Sequence, residues 1–138
     1  MTTAKDIMHA GATCIGQGQS LVEAARLMRD LDVGALPICG DDDRLHGIIT
    51  DRDIVVKCIA EGGDPTAMTA EELAQGKPLC VETDADIGDV LKLMEEHRIR
   101  RVPVIHDLRL VGMISEADVA RNLSENSIGR FVGIITAK

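Results

Sequence analysis

Phe131 is the only aromatic side chain in the chain; tryptophan and tyrosine are missing altogether. The core must therefore be built from Ile, Leu, Val, Met and Ala, without the stacking platforms that hold single-stranded nucleic acid. Paired cysteines are also missing. Cys14, Cys39, Cys58 and Cys80 stand far apart with no C-x-x-C among them, which argues against a zinc ribbon or a thioredoxin-like redox motif. No run approaches the ~20 apolar residues that span a bilayer. The opening Met1–Asp6 lacks the apolar stretch of a secretory signal. A cytoplasmic location is expected, with extracellular release by a non-classical route left open. Positive charge is in deficit, with 15 Lys and Arg against 23 Asp and Glu for a net charge of −8. Such a surface repels phosphate backbones and anionic lipid, so neither nucleic acid nor membrane is expected as a partner. There is no glycine-rich phosphate loop of the P-loop or Rossmann type and no recognisable nucleophile–base–orienter set. The chain is not expected to be an enzyme.

What the chain does have is an internal repeat. Gly34-Ala35-Leu36-Pro37-Ile38 reads against Arg100-Arg101-Val102-Pro103-Val104 at an offset of 66, which also aligns Cys14 with Cys80, Leu21 with Ile87 and Met28 with Met94. After a loop one residue shorter in the second copy, the offset becomes 65 and aligns Arg44–Thr50 with Arg109–Ser115. Two copies are too few for a solenoid. A mixed α/β pair related by a pseudo-twofold axis is expected, with repeat one at 1–65, repeat two at 66–126 and a tail at 127–138.

Each copy carries the same local code. A short extended piece, Thr13–Ile15 or Leu79–Val81, precedes an amphipathic helix. In copy one, Ser20 and Glu23 form an S-x-x-E capping box, followed by Leu21, Ala24, Ala25, Met28 and Leu31 at helical spacing. In copy two, Asp86 is the expected N-cap, and Ile87, Val90, Leu91 and Met94 form the stripe. Two strands follow, Leu36–Cys39 with Leu45–Thr50 and Val102–Ile105 with Leu110–Ser115, each pair joined by a polar turn. A second helix opens at Thr50/Asp51 or Ser115/Glu116, with Ile54, Val55, Cys58 and Ile59 as the apolar face in copy one. The unit is β-α-β-β-α, twice. Its first strand is expected to pair parallel with its second, and the second antiparallel with the third.

This order, closing on G-h-h-[ST]-x-x-D, resembles the CBS domain. The motif reads Gly47-Ile48-Ile49-Thr50-Asp51-Arg52-Asp53 in copy one and Gly112-Met113-Ile114-Ser115-Glu116-Ala117-Asp118 in copy two. The lead-in Ala4–Met8 resembles the segment that precedes a first CBS repeat. As a whole the chain is similar to small stand-alone CBS-pair proteins (Bateman modules) of actinobacteria, including those called hypoxic response proteins. That resemblance implies a regulatory or sensor module of the stress-response type, working as a homodimer on a protein target the residues do not identify. It requires no cofactor and implies an adenosine-containing ligand such as AMP, ATP or S-adenosylmethionine between the repeats. By the same resemblance Thr50 and Ser115 would touch phosphate, Asp53 and Asp118 would hold ribose, and the backbone at Pro37 and Pro103 would line the adenine slot. Arg101 would face phosphate, and copy one has Ala35 in its place.

A second reading stands beside the ligand reading. Thr50-x-x-Asp53 and Ser115-x-x-Asp118 are also capping boxes with aspartate in place of glutamate, each contributing ~1 kcal/mol to its helix. The resemblance further places Cys14 and Cys39 on neighbouring strands, where they are either a disulfide or two adjacent buried small hydrophobes. Ile105 replaces the partner in copy two. His9, His46, His97 and His106 show no ligand spacing, so no metal site within one chain is expected. Alternatives to the sensor are a ligand-free dimeric interaction protein, with Leu27, Leu31, Leu91 and Leu93 as candidate contact positions, and a redox-responsive protein using Cys14–Cys39. The apolar tail from Ser127 is assigned no role.

Overall fold

A computed structural model describes residues 2–11, 13–74, 78–123 and 125–136, with the backbone alone at 125–127. The chain falls into two compact units, one comprising Thr13–Pro78 and the other Met1–Ala12 together with Leu79–Lys138.

In the first unit, strand β2 (Ile15–Gly16) leads to helix α2 (Leu21–Leu31), then to β3 (Ala35–Cys39) and β4 (Leu45–Thr50). The sheet order is β2-β3-β4, with β2 parallel to β3 and β3 antiparallel to β4. The Ser20–Glu23 box starts α2: the Ser20 N–H donates to Glu23 Oε2 at 2.9 Å and the Glu23 N–H to Ser20 Oγ at 3.2 Å. Leu21, Ala24 and Met28 bury one face of that helix against Leu36, Ile38 and Ile49. After the single turn α3 (Asp51–Asp53) the chain widens into a π-helix, Ile54–Ile59. The i→i+5 bond runs from the Ala60 N–H to the Val55 carbonyl. The buried helix face is narrower than the sequence suggested: Ile54 and Cys58 are buried, whereas Val55 and Ile59 are more than half exposed.

The second unit repeats the plan: β5 (Val81–Glu82), α4 (Ile87–His97), β6 (Arg101–His106), β7 (Arg109–Ser115) and α5 (Glu116–Ala120). Asp86 caps α4 by accepting from the Gly88 N–H at 3.0 Å. A side chain at position 88 would put its Cβ 2.9 Å from that carboxylate. Glycine, a weak helix former elsewhere in a helix, is here what lets the cap close. The β6–β7 hairpin carries a register shift between Val104 and Ile105, matching the shift between Ile38 and Cys39 in β3–β4. The tail forms a helix, α6 (Glu125–Ile135). Its Phe131 is fully buried and Ile135 nearly so, in one core with Val90, Met94, Val102 and Val119.

The first strand of each repeat begins two residues later than its apolar residues suggested. Pro37 and Pro103 explain the shift. Proline has no N–H to give a ladder, and the parallel partner starts just past it, with Ile15 opposite Ile38 and Val81 opposite Val104.

The lead-in segments are exchanged. Helix α1 (Ala4–Ile7) belongs to the second unit, and the 3-10 turn Ala70–Leu73 belongs to the first. Residues 1–12, counted with the first repeat on sequence, therefore complete the second, and 70–73 complete the first. The hydrogen bonds repeat at the 66-residue offset. The N–H groups of Ala4, Lys5 and Ile87 donate to the carbonyls of Ala85, Thr83 and Thr2; those of Ala70, Glu71 and Leu21 donate to the carbonyls of Gln19, Gln17 and Met68. Ala4 and Ala70 are fully buried. Both turns open with a threonine box, Thr3–Asp6 and Thr69–Glu72. The Thr3 backbone N–H, then its hydroxyl, hold the Asp6 carboxyl below its ordinary value. After α1, strand β1 (His9–Ala10) adds antiparallel to β7, giving the order β1-β7-β6-β5.

Cys14 and Cys39 form a disulfide, with a Cα–Cα distance of 5.7 Å across 25 residues of chain. Constraining an unfolded loop of that length contributes about 3.5 kcal/mol on the chain-entropy account. Cys58 and Cys80 remain thiols.

Two outcomes follow from this packing. In urea titrations, Leu73→Ala is expected to cost about 2–4 kcal/mol and Phe131→Ala about 3–5 kcal/mol, as core truncations do; a near-neutral Leu73→Ala would show that the exchanged turn is not part of the core. Thiol titration of the denatured, unreduced protein is expected to find two reactive cysteines of the four, and four after reduction.

Candidate functional site

The two G-h-h-[ST]-x-x-D elements each span the end of the last strand of a unit and the start of the helix after it. Thr50 ends β4 and Ser115 ends β7. Both work as helix caps. The Thr50 N–H donates to Asp53 Oδ2 at 2.9 Å, and the Asp53 N–H donates back to Thr50 Oγ1 at 3.1 Å. Ser115 donates from its N–H at 2.8 Å and its hydroxyl at 2.9 Å to Asp118 Oδ2, and the Asp118 N–H returns to Ser115 Oγ at 3.3 Å. The capping reading of the motif is therefore present in the structure. Aspartate in place of glutamate keeps the carboxylate tight against the turn, and the two aspartates are the buried polar residues of the described chain, Asp53 at 6% and Asp118 at 1% exposure.

A buried carboxylate is costly unless compensated, and the two are compensated differently. Lys57 Nζ stands 3.4 Å from Asp53 Oδ1, one helical turn on. Asp118 Oδ1 takes the Arg121 guanidinium and also His9 Nε2, the latter at 2.9 Å. The Asn122 side-chain amide donates to the Asp118 carbonyl at 2.8 Å. Neither His9 nor Arg121 was a candidate on sequence. His9 reaches Asp118 only because the lead-in is exchanged into this unit, and no spacing between positions 9 and 118 signals that.

Arg101 starts β6 directly across from Ser115, where Ala35 stands across from Thr50 in the first unit. Cross-strand neighbours share a face of the sheet, so the one cationic residue of the candidate set is brought beside the Ser115 element. Pro37 and Pro103 are buried within β3 and β6, opposite Ile48 and Met113. The motif glycines have a reason of their own. A Cβ on Gly112 would lie 2.5 Å from Met8 Sδ and 2.8 Å from the His9 carbonyl, and one on Gly47 would lie 3.0 Å from the Ala74 Cβ. In both units the glycine leaves room for the exchanged lead-in.

Of the leucines considered as contact positions, Leu27, Leu91 and Leu93 pack at the margin of their own cores, and Leu31 is exposed. No described helix is long and apolar enough to cross a membrane.

Comparison with known proteins bears on the whole chain. Models of the CBS domain match residues 4–59 and 70–125. Hypoxic response protein 1 of Mycobacterium tuberculosis is 57% identical over 135 residues, covering 98% of this chain and 94% of that protein. A crystal structure of Hypoxic Response Protein I with two coordinated zinc ions superposes with a TM-score of 0.83 at 58% identity, covering 89% of this chain and 100% of that one. A crystal structure of CBSX2 in complex with AMP shares the fold, with a TM-score of 0.77 at 24% identity over 88% of this chain and 96% of that one. The zinc ions are those of the relative; among the described residues here no three His, Cys, Asp or Glu side chains are grouped to hold a metal ion. With two matched segments in tandem, each built as the same strand–helix–hairpin–helix unit, the chain belongs to the CBS-domain family.

Proposed function

We propose that this protein is a non-enzymatic regulatory module of the stress-response type, taking an adenosine-containing ligand at its motif aspartates. The observation that carries this reading is the Ser115 element. A hydroxyl and a buried carboxylate sit together at a helix start, with Arg101 across the strand. Backbone N–H groups and an arginine suit phosphate, and a carboxylate suits a ribose diol. The similarity to Hypoxic response protein 1 supports the stress-response assignment, and AMP, held by a protein of the same fold, is the natural first probe. The module acts in the cytoplasm as a homodimer, for which exposed Leu31, Val55 and Ile59 supply apolar surface.

A second reading rests on the Cys14–Cys39 disulfide. Its reduction would untie the first strand of one repeat and leave the other repeat unchanged, a redox response with no nucleotide involved.

A thermal-shift and calorimetric titration separates the two. Under the ligand reading, AMP at about 100 times its dissociation constant adds about 2.7 kcal/mol to stability. Arg101→Ala is expected to weaken AMP about tenfold, the size of one lost charge-assisted hydrogen bond, while moving the ligand-free stability by less than about 0.5 kcal/mol because the side chain is exposed. No response to AMP, ADP, ATP or S-adenosylmethionine at millimolar concentration would discard the ligand reading in favour of the disulfide.

A further inference from the structure

The contacts of Asp118 carry an inference that rests on the ligand reading above and deepens it: we propose that His9 is a built-in competitor for the ligand at Asp118, a latch that a ribose must displace. A carboxylate offers about four acceptor positions, two on each oxygen. On Asp118 three are taken by hydrogen bonds and His9 stands against the fourth. Oδ2 accepts from the Ser115 N–H at 2.8 Å and the Ser115 hydroxyl at 2.9 Å. Oδ1 accepts from the Arg121 guanidinium and faces His9 Nε2 at 2.9 Å. A ribose hydroxyl that donates to this carboxylate needs one of those positions, so the group standing there has to leave.

The geometry points to His9 as the one that leaves. The Ser115 groups are part of the helix cap and cannot withdraw without opening α5. Arg121 is only three residues from Asp118 and meets it with a charged, planar donor, the strong form of such a contact. His9 is different. Its side chain is 74% exposed, against 65% for Arg121, but it meets Oδ1 through a single ring nitrogen instead of a charged, planar guanidinium, so it is the more weakly held of the two. It rides on a two-residue strand at the edge of the sheet, opposite Met113. Its backbone is seated, because Gly112 leaves room for Met8 and the His9 carbonyl. The latch therefore turns on the imidazole side chain while the strand stays in place. Arg101, across from Ser115, is positioned to receive phosphate from a ligand whose ribose has taken the place of the imidazole. The corresponding position of the other repeat is Gln75, outside the described residues.

The test is an AMP titration of the full chain read on the backbone amides of Ser115 to Arg121 by NMR, comparing the parent protein with His9→Ala and His9→Gln. The expected result is about fivefold tighter binding in His9→Ala, as removal of one exposed donor allows, with His9→Gln close to the parent because the amide still donates. Equal affinity in the parent and His9→Ala would overturn the latch and leave the ligand reading standing. Saturable stabilisation by AMP with no response at these amides in either protein would also overturn it, since the ribose would then not reach Asp118. Absence of AMP binding to every variant would remove the ligand reading and the latch together.

Discussion

Three backbone hydrogen bonds per unit hold this fold to its connectivity. The Ala4 and Lys5 amides reach the carbonyls of Ala85 and Thr83, and the Thr2 carbonyl takes the Ile87 amide; Ala70, Glu71 and Leu21 repeat the pattern with Gln19, Gln17 and Met68. At those bonds the two alanines, Ala4 and Ala70, are fully buried. Much else depends on this seating. It requires glycine at 47 and 112, it extends the second sheet by a fourth strand, and it carries His9 to Asp118. The sequence of the motif thus answers first to packing. A residue pattern that identifies a family of ligand-binding modules is, at its glycine and at its hydroxyl–carboxylate pair, already engaged in holding one chain segment against another.

Much of the fold was legible because the repeat duplicates signals that are weak singly. One h-P-h strand or one S-x-x-D box is ordinary; two at a constant offset imply the same unit twice, and the hairpins, helix caps and parallel–antiparallel pairing came out as that unit requires. The misplacements have identifiable causes. The opening strands shift past the prolines because a missing N–H cannot be paired. Val55 and Ile59 are apolar but exposed, and an apolar residue on a helix surface carries no local sign of which side it faces. The destination of the lead-ins is not encoded in periodicity at all: a four-residue turn buries one or two positions, Ala4 in one case and Ala70 with Leu73 in the other, and nothing local says which of two similar sheets receives it.

The site was legible to the same degree and no further. The motif residues stand at strand ends and helix starts, where the repeat unit puts them, and Arg101 lies across from Ser115. What the sequence did not carry is the inequality of the two aspartates. Equivalent by motif, they meet different basic side chains among the described residues, Lys57 at one and Arg121 with His9 at the other, and those partners come from positions the motif does not include.

The exchanged lead-ins also bear on how the chain is made. A protein synthesised from its N-terminus usually completes its first domain first. Here residues 2–10 wait for partners translated long after them: the carbonyls of Thr83 and Ala85 for the Lys5 and Ala4 amides, and β7, more than a hundred residues on, for β1. The first unit can close as soon as the Ala70–Leu73 turn clears the ribosome, and its disulfide partners are by then already present. The first unit can therefore close before the segment that precedes it in the chain finds its seat.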